Sequence, residues 1–333
     1  MQTLHNRRDF LASASLASVA SLLGRCESFA QEAPPETTTV RIPTGTFICN
    51  APTYIADELL RAEGFTNIQH VPVTPDRVGL PMERGELDFA MVYTPPMVAA
   101  IEAGSPATML AGVHLGCNSL FAHEGIRSVR DLKGKKKVGA GNEAQRSLIA
   151  SMAAYVGLDP FKDIEWVSSP FATAKDLFVE RKIDAFVALP PDPQDLRARN
   201  IGRVIVNSAL DRPWSQHFCC VLIATKEFVG KYPVATKRVL RAILKATDFC
   251  ASNPAAVARR LVDGGFTGNY DYALQTLNEV WYDKWREYDI EDSVRFYSLR
   301  LREAGMIKST PSKIIADGTN WRFLNQLKRE LKG

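Results

Sequence analysis

Apolar positions along this chain follow two alternating rhythms. Short unbroken runs at residues 89–93 and 185–189 have the length and continuity of strands covered on both faces. Between such runs, apolar residues recur every three or four positions, the period of a helix with one face turned to a core. The two runs sit inside stretches that say nearly the same thing, ERGELDFAMVYTPP from Glu83 to Pro96 and ERKIDAFVALPP from Glu180 to Pro191. Laying Asp88 on Asp184 also lays Pro95 on Pro191, and each copy reads as a helix end, a tight turn, a buried strand and a loop. Proline donates no ladder hydrogen bond, so each pair of prolines stops its strand at the carboxyl end. Ligands bind at that end in open α/β sheets. Two copies therefore predict two similar α/β lobes whose strand-end loops face one another across a cleft.

In chain order, the pattern predicts a strand at 40–42, a loop through 43–51, a helix from Pro52 to about Glu63 and a second strand at 67–73. A loop between strand and helix meets ligands at the helix amino terminus, which makes Thr44, Thr46, Phe47 and Asn50 the first site candidates. Tyr93 and Thr94 follow from the end of the first repeated strand. A helix at 95–103 and strands at 108–113 and 119–122 come next, the last carrying the chain toward the second lobe. Gly139 and Gly141 close a further strand, and Asn142 is placed to cap a helix over 143–156, adding Asn142 and Gln145 as candidates beside free backbone N–H groups. The glycine spacing is neither a dinucleotide nor a P-loop fingerprint. A strand at 164–167, a helix at 172–180 and a strand at 204–206 complete this part. Trp214 and His217, just before a strand at 218–224, are candidates for stacking and hydrogen bonding where the chain returns to the first lobe. From Lys226 onward the pattern is helical, with Trp281, Trp285 and Tyr288 at a spacing that predicts packing between a helix and a lobe.

Composition adds limits. The 333 residues are 46% hydrophobic and 23% charged, enough for a sizeable core and about two domains. A net charge of +4 gives no case for nucleic acid, and no zinc-finger or RNA-binding pattern is present. Arg7 and Arg8 precede an apolar run too short to span a bilayer, and Ser28 and Ala30 are the small residues that a signal peptidase reads. This resembles a twin-arginine export signal over residues 1–30, read by the Tat machinery, with a disordered leader at 31–39. Cleavage leaves Cys49, Cys117, Cys219, Cys220 and Cys250, an odd number. Adjacent Cys219 and Cys220 point to opposite faces of a regular strand, so they read as small core residues, with neither a disulfide nor a metal site expected.

Asn50-Ala51-Pro52 with Tyr54, the turn from Gly85 to Asp88, Asp131-Leu132-Lys133-Gly134-Lys135 with Val138-Gly139, and Ile183-Asp184-Ala185 with Pro190-Pro191 together resemble the substrate-binding proteins of nitrate, sulfonate and taurine importers, the SsuA/THI5-like (NMT1) class of ABC transporters. The resemblance covers nearly all of the mature chain. It implies a type II periplasmic-binding-protein fold, with two α/β lobes around a cleft and a helical C-terminal region. One lobe is expected from residues 40–124 plus 219–333 and the other from 125–218. It further implies a soluble periplasmic monomer that holds a small-molecule solute and no cofactor, and delivers it to a membrane permease with its ATPase. Arg146 is the one cation near the candidate loops. Their aromatic and amide groups favour a small organic solute with a planar or heterocyclic part, carrying one carboxylate. Enzymes share this fold, so two alternatives stand beside the receptor. One is a thiamine pyrimidine synthase, whose longer cysteine motif is missing here. The other is a desulfinase-like enzyme with Cys49 as nucleophile and His70 or Arg77 as its basic neighbour.

Overall fold

In each copy of the repeated stretch, the aspartate just before the strand ties that strand to a neighbour. In the computed structural model, which describes residues 32–73, 79–134, 136–170 and 173–330, Asp88 Oδ2 accepts the backbone N–H of Arg41 at 2.8 Å, and Asp184 Oδ2 accepts that of Lys137 at 2.7 Å. The separation in sequence is 47 residues in both cases. The main chain answers in kind: Asp88 N–H donates to Arg41 O and Asp184 N–H to Lys137 O. A carboxylate at the foot of a buried strand thus satisfies the adjacent strand's first free donor, which an apolar residue would leave unpaired.

Ten strands follow in order: β1 (Thr39–Thr44), β2 (Asn67–Pro72), β3 (Phe89–Tyr93), β4 (Ala107–Leu115), β5 (Ser119–Ala122), β6 (Lys136–Ala140), β7 (Ile164–Ser168), β8 (Ala185–Ala188), β9 (Arg203–Asn207) and β10 (Phe218–Thr225). The second sheet is continuous, in the order β7-β6-β8-β5-β9, with β6 parallel to β7 and β8, and β5 antiparallel to β8 and β9. The first group comprises a parallel β1-β2 pair and an antiparallel β3-β10-β4 sheet. The Asp88–Arg41 contacts link the two pieces, so the order β2-β1-β3-β10-β4 mirrors the second sheet. Residues 119–122 lie inside the second sheet, between β8 and β9.

Two expectations change. Residues 52–63 form two short helices, Ala51–Tyr54 and Asp57–Ala62. Every residue from Ala51 to Ala56 is buried, and the backbone leaves helical geometry at Ile55 (φ −103°, ψ 4°), which ends the first helix. The aromatic tail at 281–288 is not an α-helix. Trp281 exchanges backbone hydrogen bonds with Leu115 (3.1 Å each way), which commits its backbone to an extended bridge, and only Asp283–Trp285 turns as a 3₁₀ helix. The packing role holds for Trp285, which is 1% exposed and donates from Nε1 to Asp248 at 2.8 Å.

Helices from Lys226 on pack against β4 and β10. Residues from Pro35 onward form one compact unit. In the lead-in to β1, the Glu36 carboxylate accepts the N–H groups of Val234 and Ala235 and so caps the helix Pro233–Ser252. Close approach of backbones fixes two glycines. A Cβ on Gly112 of β4 would meet the Phe218 ring at 2.4 Å, and one on Gly139 of β6 would meet Ile183 Cδ1 at 2.5 Å. The expected export signal and Arg77 lie outside the described residues. Among the described residues no helix is long and apolar enough to cross a membrane.

Candidate functional site

The strand ends of both sheets and the helix starts beside them border a cavity of about 290 Å³. From the first group come Phe47, Cys49 and Asn50 after β1, the end of β3 from Met91 to Tyr93, and Cys220 and Ile223 of β10. From the second sheet come Asn142, Glu143 and Ala144, where β6 passes into the helix Glu143–Tyr155, and Leu189 after β8. Met82 and Met97 complete a wall that is mostly apolar and, through three methionines, adaptable in shape. Its charged members are Glu83 and Glu143, and no Lys, Arg or His is among the described lining residues. Desolvation raises the Glu143 carboxyl above the usual range, against the lowering pull of Arg146.

Four of the ten residues singled out in the sequence lie on this wall: Phe47, Asn50, Tyr93 and Asn142. The other six lie elsewhere. Thr44 ends β1, where its carbonyl accepts Val73 N–H, and Thr46 is exposed on the following loop. Thr94 is fully buried and its hydroxyl donates to Phe218 O at 2.7 Å. Gln145 braces the helix start, accepting Gly141 N–H at 2.6 Å and donating to Val187 O at 2.8 Å, while Asn142 caps the same helix by accepting Gln145 N–H. Trp214 packs edge-on against Phe296 and Tyr155. His217 stacks on Phe296 at 3.9 Å, and burial pushes its imidazole down to about 4. Thr94, Gln145, Trp214 and His217 looked available in the sequence because Phe218, Val187 and Phe296, which engage them, are remote in the chain. Met82, Met91 and Met97 were missed for the opposite reason: an apolar residue carries no mark that separates a cavity wall from a core.

Beneath the cavity, Cys49 and Cys220 belong at once to its wall and to a buried group of thiols. Cys117 Sγ and Cys219 Sγ are 3.1 Å apart. Tyr93 donates its hydroxyl to Asn118 Oδ1 at 2.8 Å, and Asn118 Nδ2 donates to Cys219 Sγ at 2.8 Å, so a hydrogen-bonded chain runs from the cavity wall to the sulfurs. Cys219 and Cys220 do not diverge to opposite faces. The register of β10 against β4 shifts on both sides of Cys220, with Phe218 opposite Leu115 and Cys220 opposite His114, and such a bulge re-aims consecutive side chains.

These thiols titrate apart. Burial pushes Cys117 and Cys220 up. Burial would also raise Cys219, but hydrogen bonds from Cys117, Cys220 and Asn118 outweigh it and bring this thiol down to about 6. Cys49 goes the other way, held at about 11 chiefly by its hydrogen bond with Cys117 and by burial. At neutral pH it is a thiol, which makes it a poor nucleophile. His70, one of its expected partners, is engaged with Asp57 at 3.0 Å.

Comparison with known proteins gives three findings. A family model described as NMT1-like family matches residues 33–262. Putative binding proteins of Brucella abortus and Brucella suis are 28% identical over 171 residues, 51% of this chain and 53% of theirs, so the chain spans about half the length of the curated relatives it matches. Among solved structures, the periplasmic nitrate-binding protein NrtA from Synechocystis superposes with a TM-score of 0.70 at 15% identity, covering 90% of each chain. The periplasmic aliphatic sulphonate-binding protein SsuA from Escherichia coli does so with a TM-score of 0.65 at 17% identity, covering 84% of this chain and 91% of its own. At such identities the likeness shows the fold: a type II periplasmic-binding-protein architecture with a helical C-terminal region.

Proposed function

Because the chain belongs to the NMT1-like family, we propose that it is the solute-binding component of an ABC importer, exported through the Tat route to the periplasm. In this reading it works as a monomer that delivers its cargo to a membrane permease and ATPase. The two sheets are the cores of two lobes, one holding β1 to β4 and β10 and the other β5 to β9, so the expected break at residue 124 moves ahead of Ser119, because β5 pairs with β8 and β9. The cavity is the solute site, and a ligand that touches both lobes favours the closed arrangement by its difference in affinity for the two states.

The observation that carries this reading is the cavity wall itself, drawn from the strand ends of both sheets. The same wall supports a solute class. Nitrate or a sulfonate is best held by a cation or a bidentate Arg, and the described lining residues offer two carboxylates instead. Arg146 is engaged elsewhere, with Nη2 donating to Ser168 Oγ at 3.1 Å and its guanidinium 5.5 Å from the Trp166 ring. A carboxylate on the solute would lack a charged partner there. The cargo is therefore a small organic molecule, neutral or cationic, with substantial apolar surface; Tyr93, Asn50 and Asn142 supply its polar contacts.

The test is a thermal-shift and calorimetric screen of neutral heterocycles and small amines against nitrate and alkanesulfonates. A true ligand at about 100 times its Kd adds about 2.7 kcal/mol, a rise in Tm of about 4–8 °C. A rise with the first group alone is expected. Saturable binding of a sulfonate or nitrate instead would overturn the solute class, and no binding by any group would overturn the receptor reading. The enzyme alternative with Cys49 as nucleophile gains no support from a thiol held protonated at neutral pH.

A further inference from the structure

Below the cavity, one ring nitrogen of His114 and the Sγ atoms of Cys117, Cys219 and Cys220 all lie within 4.8 Å of one another, and all four residues are buried. We propose that these four side chains form a closed tetrahedral site for a thiophilic divalent cation of the zinc class. Four bonds of about 2.0–2.3 Å to nitrogen and sulfur make a tetrahedron with edges of about 3.4–3.8 Å. The 3.1 Å between Cys117 and Cys219 and the 4.8 Å limit of the group bracket that edge, so side-chain adjustments of under about 1 Å complete the geometry.

His114 supplies a second, independent reason. Its Nδ1 lies 3.1 Å from Gly116 O, and a carbonyl oxygen only accepts, so Nδ1 carries the proton. Nε2 is left with a lone pair and makes no hydrogen bond of normal geometry among the described residues although the residue is 0% exposed; the Cys49 thiol interacts with the ring as a weak donor. An unpaired buried lone pair is costly. A backbone carbonyl on one imidazole nitrogen and a metal on the other is the usual arrangement of a ligating histidine. The surroundings suit three thiolates as well. Asn118 donates to Cys219 Sγ, its amide orientation is fixed by Tyr93, and Ser208 Oγ accepts the N–H groups of Cys117 and Asn118 at 3.2 and 2.9 Å.

Four protein ligands leave no open position, which makes the role structural. Cys117 lies in the connection from β4 to β5, the first passage between the sheets, and Cys219 and Cys220 open β10 just after the second. One ion would staple both passages together and fix the cavity floor through Cys220. Cys49 remains outside the ligand set, facing the cavity. This site does not depend on what the cavity carries.

The full chain purified without chelator is expected to retain one zinc per molecule. When exchanged with cobalt(II) it should show sulfur-to-metal charge-transfer bands and the intense visible absorption of a tetrahedral thiolate site. His114→Gln keeps all three thiols and should weaken zinc binding by at least about 10–100-fold. Cys219→Ser should abolish the charge-transfer bands. Cys250→Ala, altered in a buried cysteine outside the group, should keep the metal and the spectrum. If Cys219→Ser fails to fold, chelator competition on the unaltered chain reads the affinity directly. Loss of zinc on simple dialysis, a weak cobalt spectrum without sulfur bands, or a Cys117–Cys219 disulfide in the chain isolated without reductant would each overturn the proposal.

Discussion

The two sheets follow the same strand order but are held together differently. In the second, β6 and β8 are laddered directly through Val138 opposite Ala185 and Gly139 opposite Phe186. In the first, no continuous ladder runs between β1 and β3, and the join depends on Asp88. Its carboxylate, 5% exposed, takes the Arg41 N–H, Nε at 3.1 Å and Nη2 at 2.5 Å. Asp184 makes only the backbone half of this arrangement, to Lys137. A duplicated motif thus keeps its hydrogen-bond logic while the energetic weight on one residue differs between copies.

The strongest test of that difference is to remove both carboxylates in turn. Asp88→Ala removes the carboxylate that holds the Arg41 N–H and part of its guanidinium and should cost about 2–3 kcal/mol, the half-exposed Arg41 being resolvated by water, whereas Asp184→Ala should cost about 1–2 kcal/mol. Equal losses in denaturant unfolding would erase the distinction. The next test concerns the glycines. Gly112→Ala drives a Cβ into the buried Phe218 ring and should cost about 2–3 kcal/mol, while Gly139→Ala meets the movable tip of Ile183 and should cost about 1 kcal/mol.

A third experiment probes the return passage through His217. Its folded-state value of about 4 lies below the ordinary 6.5, so the unfolded chain takes up the proton first. Stability is therefore full above pH 6.5 and is lost as the pH falls toward 4, by about 1–2 kcal/mol after allowance for partial exposure. His217→Phe should flatten that part of the pH profile; an unchanged profile would assign the acid sensitivity elsewhere. The smallest effects are at helix caps. Asn142→Ala and Thr225→Ala each remove a side-chain acceptor for a helix N–H and should cost about 1 kcal/mol. Only Asn142→Ala, altered on the cavity wall, should also weaken solute binding in calorimetry.

Much of this architecture was legible in the sequence because buried strands announce themselves by continuity. The run at 89–93 is β3 to the residue, and Asn142 caps the helix it was expected to cap. Where reading failed, the cause was information held by a second element. Residues 52–63 carry good helical spacing, yet the backbone turns out of the helix at Ile55, and side-chain spacing does not record that turn. Trp281 shows helical spacing, yet its backbone pairs with Leu115. The convergence of Cys219 and Cys220 depends on how β10 registers against β4, and a bulge is a property of two strands that neither sequence alone displays. The site was half legible for the same reason. Asn50 and Tyr93 lie where strand-end logic places ligand groups, whereas Thr94 and Gln145 are spoken for by carbonyls far along the chain.

The placement of β5 and β10 sets an order of events during synthesis. β5 leaves the ribosome before the strands it will separate, so residues 119–207 can close their sheet as soon as they are made. β10 arrives last, and until residue 225 has emerged β3 and β4 must wait with an unfilled slot between them and two open edges. The portion of the molecule translated first is thus the portion completed last, and the nascent chain is most in need of shielding across the interval between β4 and β10.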